Sequence, residues 1–153
     1  GVKAVNETRE IMLITTEGII IRMFCSGISV LGRITSGVKL INLNENDEVV
    51  AAIPLRNKED DLAIFSSLGT GKKFPSKELP LQKRGGKGLI CHKTSSTGGV
   101  VAAGALISNE DSLLVCGDKT SICISATEIP SLGRASTGNQ IIKGNTLLSA
   151  SKV

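Results

Sequence analysis

The sequence predicts an all-β, propeller-like chain of about three four-stranded blades belonging to a larger or partial ring. Two observations carry this expectation. The chain repeats itself, and each copy consists of short apolar and β-branched runs separated by turn residues. Leu13, Ile64 and Val115 recur at intervals of 51 and 51 residues, and Ile28, Leu79 and Ile129 at 51 and 50. One small sheet cannot bury both of its faces alone, so units of this period stack on one another. No stretch keeps helical periodicity over the roughly ten to twelve residues that a helix needs.

The 153 residues are read as a single domain, 1–153, with repeats over about 10–58, 59–109 and 110–153. Each repeat opens on a strand: Ile11-Met12-Leu13-Ile14, Leu62-Ala63-Ile64-Phe65, and Leu113-Leu114-Val115-Cys116. Ile19-Ile20-Ile21 and Val38-Lys39-Leu40-Ile41 are further runs of strand length. Turn residues punctuate them at Glu17-Gly18, Asn44-Glu45-Asn46-Asp47, Gly69-Thr70-Gly71 and Thr97-Gly98-Gly99. A glycine-basic element follows in each copy. It reads Gly32-Arg33-Ile34-Thr35-Ser36-Gly37, then Lys83-Arg84-Gly85-Gly86-Lys87-Gly88, then Gly133-Arg134-Ala135-Ser136-Thr137-Gly138. Each repeat closes on another apolar run, at residues 49–53, 100–103 and 147–150. The third is shorter before that run, where Lys143-Gly144-Asn145 replaces a longer turn. Residues 1–9 fit none of the three and read as the tail of a preceding unit. Three units do not close a ring.

Composition narrows the function. Apolar residues at 41% and charged residues at 21% describe a globular chain. With three Phe, no Tyr and no Trp, it lacks the aromatic platforms on which single-strand readers stack bases. The net charge is +4, but seven cations and one carboxylate fall between Gly69 and Lys93, a local +6 that leaves −2 for the remainder. Such a patch on a near-neutral body points to a polyanionic partner. Cys25, Cys91, Cys116 and Cys123 form no Cys-x-x-Cys pair, and His92 is the one histidine, so no metal site is expected. Most of the cysteines sit among apolar residues, and they read as structural thiols in a reducing cytoplasm. No signal peptide and no membrane-length apolar run is recognised, which sets the expectation of a soluble cytoplasmic protein.

The chemistry concentrates in Gln82-Lys83-Arg84-Gly85-Gly86-Lys87-Gly88. Gly85, Gly86 and Gly88 remove side-chain bulk and permit positive φ, so the loop can lie flat and offer N–H groups to phosphates. Lys83, Arg84 and Lys87 bring charge, and arginine grips phosphate with paired hydrogen bonds. This stretch closely resembles the gyrase A box, which marks the C-terminal domain of the DNA gyrase A protein. Residues 28–41 resemble a blade of the same family without the box, and the resemblance runs from about Glu10 to the C-terminus. It implies a β-pinwheel, a ring whose neighbouring blades exchange strands. It also implies that duplex DNA wraps around a basic outer rim, presenting a crossing of fixed hand to the catalytic core. The domain would then be a non-catalytic part of gyrase that supports ATP-dependent negative supercoiling in the bacterial, nucleoid-associated cytoplasm. The implied partners are double-stranded DNA, the catalytic portion of gyrase A and, in the holoenzyme, gyrase B. In the family the box lies in the first blade, whereas here it sits in the middle repeat of three.

Arg33 and Arg134 hold the place of Arg84 in the flanking repeats, and Lys39, Lys72, Lys73 and Lys143 extend the expected DNA-binding set. Bent duplex needs cations that recur along its path. Bending a site of 20–30 bp by 40–90° costs on the order of 1–6 kcal/mol, so many weak phosphate contacts must sum. No side-chain set suggests base readout, so binding should be sequence-independent. No catalytic residue and no cofactor is expected. There is no tyrosine to act as a strand-cleaving nucleophile, and Cys91-His92 reads as structural. Gly69-Thr70-Gly71-Lys72-Lys73 lacks the spacing of a phosphate loop. Two alternatives stand beside the gyrase reading. One is the equivalent C-terminal domain of topoisomerase IV, which governs substrate choice and usually carries a degraded box. The other is a propeller-like protein-interaction scaffold, against which the basic concentration argues.

Overall fold

The computed structural model describes residues 2–153. Among the described residues it is built of strands and three short 3-10 turns, and no helix is long and apolar enough to cross a membrane. In chain order the strands are β1 (Glu10–Thr15), β2 (Ile19–Phe24), β3 (Val49–Leu55), β4 (Asp61–Ser66), β5 (Thr70–Pro75), β6 (Leu89–Ile90), β7 (Val101–Ile107), β8 (Ser112–Gly117), β9 (Ser121–Ser125), β10 (Asn139–Gln140) and β11 (Leu147–Lys152). They form three sheets ordered β3-β1-β2-β6, β10-β5-β4-β7 and β11-β8-β9. The expected strand exchange is present: the first sheet takes β6 from the second repeat, and the second takes β10 from the third. The third sheet stops at β9 among the described residues. Strand β7 touches both β3 and β11, so these three converge on the inside while β6 and β10 lie outermost.

The sheets bury each other's faces, which explains the continuous apolar runs. Every residue of β1 is buried. Met12 and Ile14 pack toward the second sheet with Leu62, Ile64, Phe74 and Val101, whereas Ile11 and Leu13 pack with Ile21, Met23 and Ile41 on the far face. Ala63 and Phe65 turn the other way and join Leu113, Val115 and Ile129 between the second and third sheets. A strand period of two thus divides each repeat between two cores.

A donated strand of two residues cannot hold itself, and its fastening is local. The N–H groups of Cys91 and His92 donate to the Gly18 carbonyl at 2.7 and 3.3 Å, and those of Ile141 and Ile142 to the Gly69 carbonyl at 2.8 and 3.2 Å. Gly88 enters this seam with φ +73, and a Cβ there would meet the Ile20 carbonyl oxygen at 2.7 Å. Residues 38–41, expected as a strand, make only an isolated bridge from Ile41 to Gly86. They match β6 and β10 in the repeat, but no sheet among the described residues receives them, and a strand without a partner leaves its backbone groups unpaired.

Charged locks cross the same seams. Arg22 on β2 pairs with Glu10 at 2.6 Å and donates to the Leu79 carbonyl at 2.8 Å, beside the 3-10 turn Ser76–Glu78. Its counterpart Lys73 on β5 reaches the Ala126 carbonyl at 2.9 Å, with Asp61 at 3.9 Å in the place of Glu10. Lys72 has no exposed surface. Its ammonium donates to the carbonyls of Gly133, Arg134 and Ser136 at 3.0, 2.5 and 2.6 Å, tying the third glycine-basic element to β5. In the third sheet the register puts Cys123 where Arg22 and Lys73 stand, and Ser112 where Glu10 and Asp61 stand.

Two tests follow from the seams. Gly88→Ala should destabilise by more than the about 1–2 kcal/mol that a left-handed residue alone costs, because its Cβ also meets Ile20. Gly37→Ala, at φ +78 with nothing within 4 Å, should show the backbone cost alone in urea unfolding. The second test concerns Lys72, whose burial pushes its ammonium down to about 8. Its folded value therefore lies below the unfolded value near 10.5, and the unfolded chain binds the extra proton between them. Stability contributed by this group rises with pH from about 8 to 10.5. Thermal unfolding of the parent beside Lys72→Met should show the parent gaining across that window, and a constant gap would refute the titration.

Candidate nucleic-acid interface

The box loop hangs from the first sheet although its residues belong to the second repeat. At its start, Leu81 bridges Arg22 and the Gln82 N–H donates to the Arg22 carbonyl at 2.7 Å. At its middle, the Gly85 N–H donates to the Leu40 carbonyl at 2.6 Å, and Gly86 accepts from the Asn42 N–H at 2.9 Å. Arg84 and Gly85 form the turn, with Gly85 at φ +77. Beyond it, Gly88 delivers the chain to β6. Backbone bonds therefore fix the loop at both ends and in the middle.

The site residues fall into three groups. Lys83, Arg84 and Lys87 are exposed, as are Arg33, Lys39 and Lys143, and none of the six pairs with a carboxylate among the described residues. Lys39 approaches only the Asn42 amide oxygen, at 3.5 Å. The pairing of residues 40–42 with Gly85 and Gly86 brings Lys39 beside the box. A second group is structural. Gln82 is half-buried with its amide oxygen sealed from solvent, the Gly85 amide is spent on Leu40, and Gly88 serves the close approach to Ile20. Arg134 is half-buried and donates to the Ile90 carbonyl of β6.

Lys72 and Lys73 form the third group and correct the sequence expectation. Both are buried and their ammonium groups are taken by carbonyl oxygens, so neither is available to phosphate. The repeat spacing held the signal, since Lys72 occupies the position of the buried Ile21 and Lys73 that of Arg22. Cys91 and His92 are likewise internal. Burial pushes the Cys91 thiol up to about 12 and lowers His92, whose Nε2 lies 3.2 Å from the Gly99 carbonyl. Among the described residues no cluster of three or more His, Cys, Asp or Glu side chains could hold a metal.

Sequence motifs missed one further basic feature. A cleft of about 560 Å³ opens at one end of the first sheet, lined by Arg9, Arg56 and Lys58 together with Glu10 and Phe24. Phe24 also lines a smaller hollow with Lys83 and Arg84. These three cations come from the lead into β1 and the turn after β3, so no contiguous pattern joins them.

The chain is similar to known proteins along nearly its whole length. It is 37% identical to the DNA gyrase A protein of Lawsonia intracellularis (strain PHE/MN1-00) over 145 residues, covering 93% of this chain and 18% of that protein. It is 31% identical to the DNA gyrase A protein of Staphylococcus aureus (strain MRSA252) over 145 residues, covering 94% and 16%. In fold it matches a solved C-terminal domain of DNA topoisomerase IV with a TM-score of 0.89 at 22% identity, covering 96% of this chain and 47% of that one. A solved DNA gyrase A C-terminal domain gives 0.89 at 22%, covering 97% and 52%. The chain thus spans less than a fifth of the gyrase A proteins and about half of the solved domains it matches. The sequence profile described as "DNA gyrase C-terminal domain, beta-propeller" matches residues 9–56, 60–106 and 124–147, and the chain belongs to that family.

Proposed function

We propose that this chain binds, bends and wraps duplex DNA without regard to sequence, as the non-catalytic C-terminal part of DNA gyrase A. The observation that carries the reading is the box loop, where Lys83, Arg84 and Lys87 stand exposed, with no carboxylate partner among the described residues, on a backbone held by Arg22, Leu40 and Asn42. A backbone already fixed in place adds no ordering cost of its own when a phosphate arrives, leaving only the side chains to be ordered. Arg33, Lys39 and Lys143 add charge at other points, and Arg134 contributes whatever part of its guanidinium Ile90 leaves open. Several separate contacts suit a bent polyanion better than a single deep site. In the holoenzyme, with the catalytic portion of gyrase A and with gyrase B, the wrapped segment would direct ATP-dependent strand passage toward negative supercoiling.

The equal structural likeness to the topoisomerase IV domain supports a second reading, in which the same surface selects substrate without wrapping it. Relaxing a plasmid with a type I topoisomerase in the presence of the chain separates the two. Wrapping shifts the linking number with one sign, whereas binding alone leaves it unchanged.

Affinity for duplex should fall steeply with salt, with a slope of about −0.9 per phosphate neutralised. Fluorescence anisotropy at several salt concentrations measures it, and an affinity that barely moves would sink the DNA reading. Arg84→Ala with Lys87→Ala should abolish DNA bending while leaving the melting temperature nearly unchanged, because both side chains lie in water. A large fall in melting temperature would make the box structural.

A further inference from the structure

The repeats supply their own control for the cleft beside Phe24. Registering the sheets by their pairing sets Glu10 opposite Leu55 in the first and Asp61 opposite Ile107 in the second. Arg9 then corresponds to Asp60, whose carbonyl accepts from Ser76 as that of Arg9 accepts from Cys25. Arg56 corresponds to Ser108, and the turn that carries Lys58 in the first sheet carries Glu110 in the second. In the third repeat Asp111 takes the place of Arg9. The same backbone is therefore built with acidic and neutral residues elsewhere in the molecule, so the fold does not demand these cations.

Their surroundings are those of a binding site. Arg9 and Arg56 are exposed and make no ion pair or side-chain hydrogen bond among the described residues. Lys58 lies 3.3 Å from Glu10, but that carboxylate is already bound by Arg22 at 2.6 Å and its charge is shared between two cations. The lining carries an excess of positive charge in a concave space of about 560 Å³. Phe24, 46% exposed, separates it from the hollow holding Lys83 and Arg84.

We propose that Arg9, Arg56 and Lys58 form a second phosphate-binding cleft, which takes the backbone of the same duplex that the box holds. The duplex then passes over Phe24 at the end of the first sheet, and only this repeat carries the crossing. This inference rests on the DNA reading above and adds a path to it.

The test borrows the second repeat's own residues. Arg9→Asp with Arg56→Ser is compared with the parent, with Arg9→Lys/Arg56→Lys, and with Lys83→Ala/Arg84→Ala/Lys87→Ala, all in the full chain. Each is titrated with a fluorescein-labelled duplex of about 40 bp, long enough to span both sites with a bend between them, over a salt series, and thermal unfolding is recorded in parallel. The Asp/Ser pair should flatten the log–log salt slope by at least about 1.8, two phosphates' worth, and the Lys/Lys pair should restore it. A slope unchanged by Asp/Ser, while the box variant loses binding, overturns the cleft and leaves the DNA reading standing. A loss that Lys/Lys does not restore also overturns it, since only charge should matter. If the parent itself shows no salt-dependent binding, both readings fall together.

Discussion

The outer strand of each sheet carries N–H and C=O groups that must find partners, and a sheet edge left open is costly and adhesive. In this molecule β2 and β5 meet the demand with a strand borrowed from the following repeat. Only two residues are lent each time, so pairing has to be reinforced at its rim. The carbonyls of Gly18 and Gly69 each accept two N–H groups just beyond the lent strand. Gly88 lets the backbone approach β2 so closely that a methyl group would not fit. The box owes its placement to this borrowing. It is the segment by which the second repeat reaches the first, and its exposed cations are held by the same backbone bonds that close the seam.

Two kinds of positive charge share the molecule and obey opposite rules. Lys72, Lys73 and Arg22 have left water and are surrounded by oxygens that replace it. A buried cation is tolerated only when so satisfied, and removing its partners costs far more than the pair contributes. Lys83, Arg84 and Lys87 keep their hydration and have no protein acceptor among the described residues, so their hydrogen bonds are made to solvent. Burial and satisfaction, more than the number of cations, separate the charges that join repeats from those open to a ligand.

The repeat, the strand positions and the exposed charges of the box were legible because each depends on residues close in sequence. The double lysine at 72 and 73 was not, since it lies inside a basic stretch and its fate depends on carbonyls of residues 126 and 133–136. Comparing columns of the repeat would have shown Lys72 in the place of Ile21, a position turned inward. Residues 38–41 have strand composition but meet no sheet among the described residues, and pairing is a property of two segments. Arg9, Arg56 and Lys58 converge only because β1 and β3 are adjacent antiparallel strands, a long-range fact that no motif records.

The third sheet differs from the other two at its seam residues. There Cys123 on β9 and Ser112 on β8 replace the cation and carboxylate that clasp the other seams, and β9 reads Ser-Ile-Cys-Ile-Ser with no lysine or proline to discourage pairing. Quasi-one-dimensional proteins are stable as a sum of units and of junctions between neighbours. By that measure the described repeats resemble a short polymer whose two links are the seams closed by lent strands and buried cations.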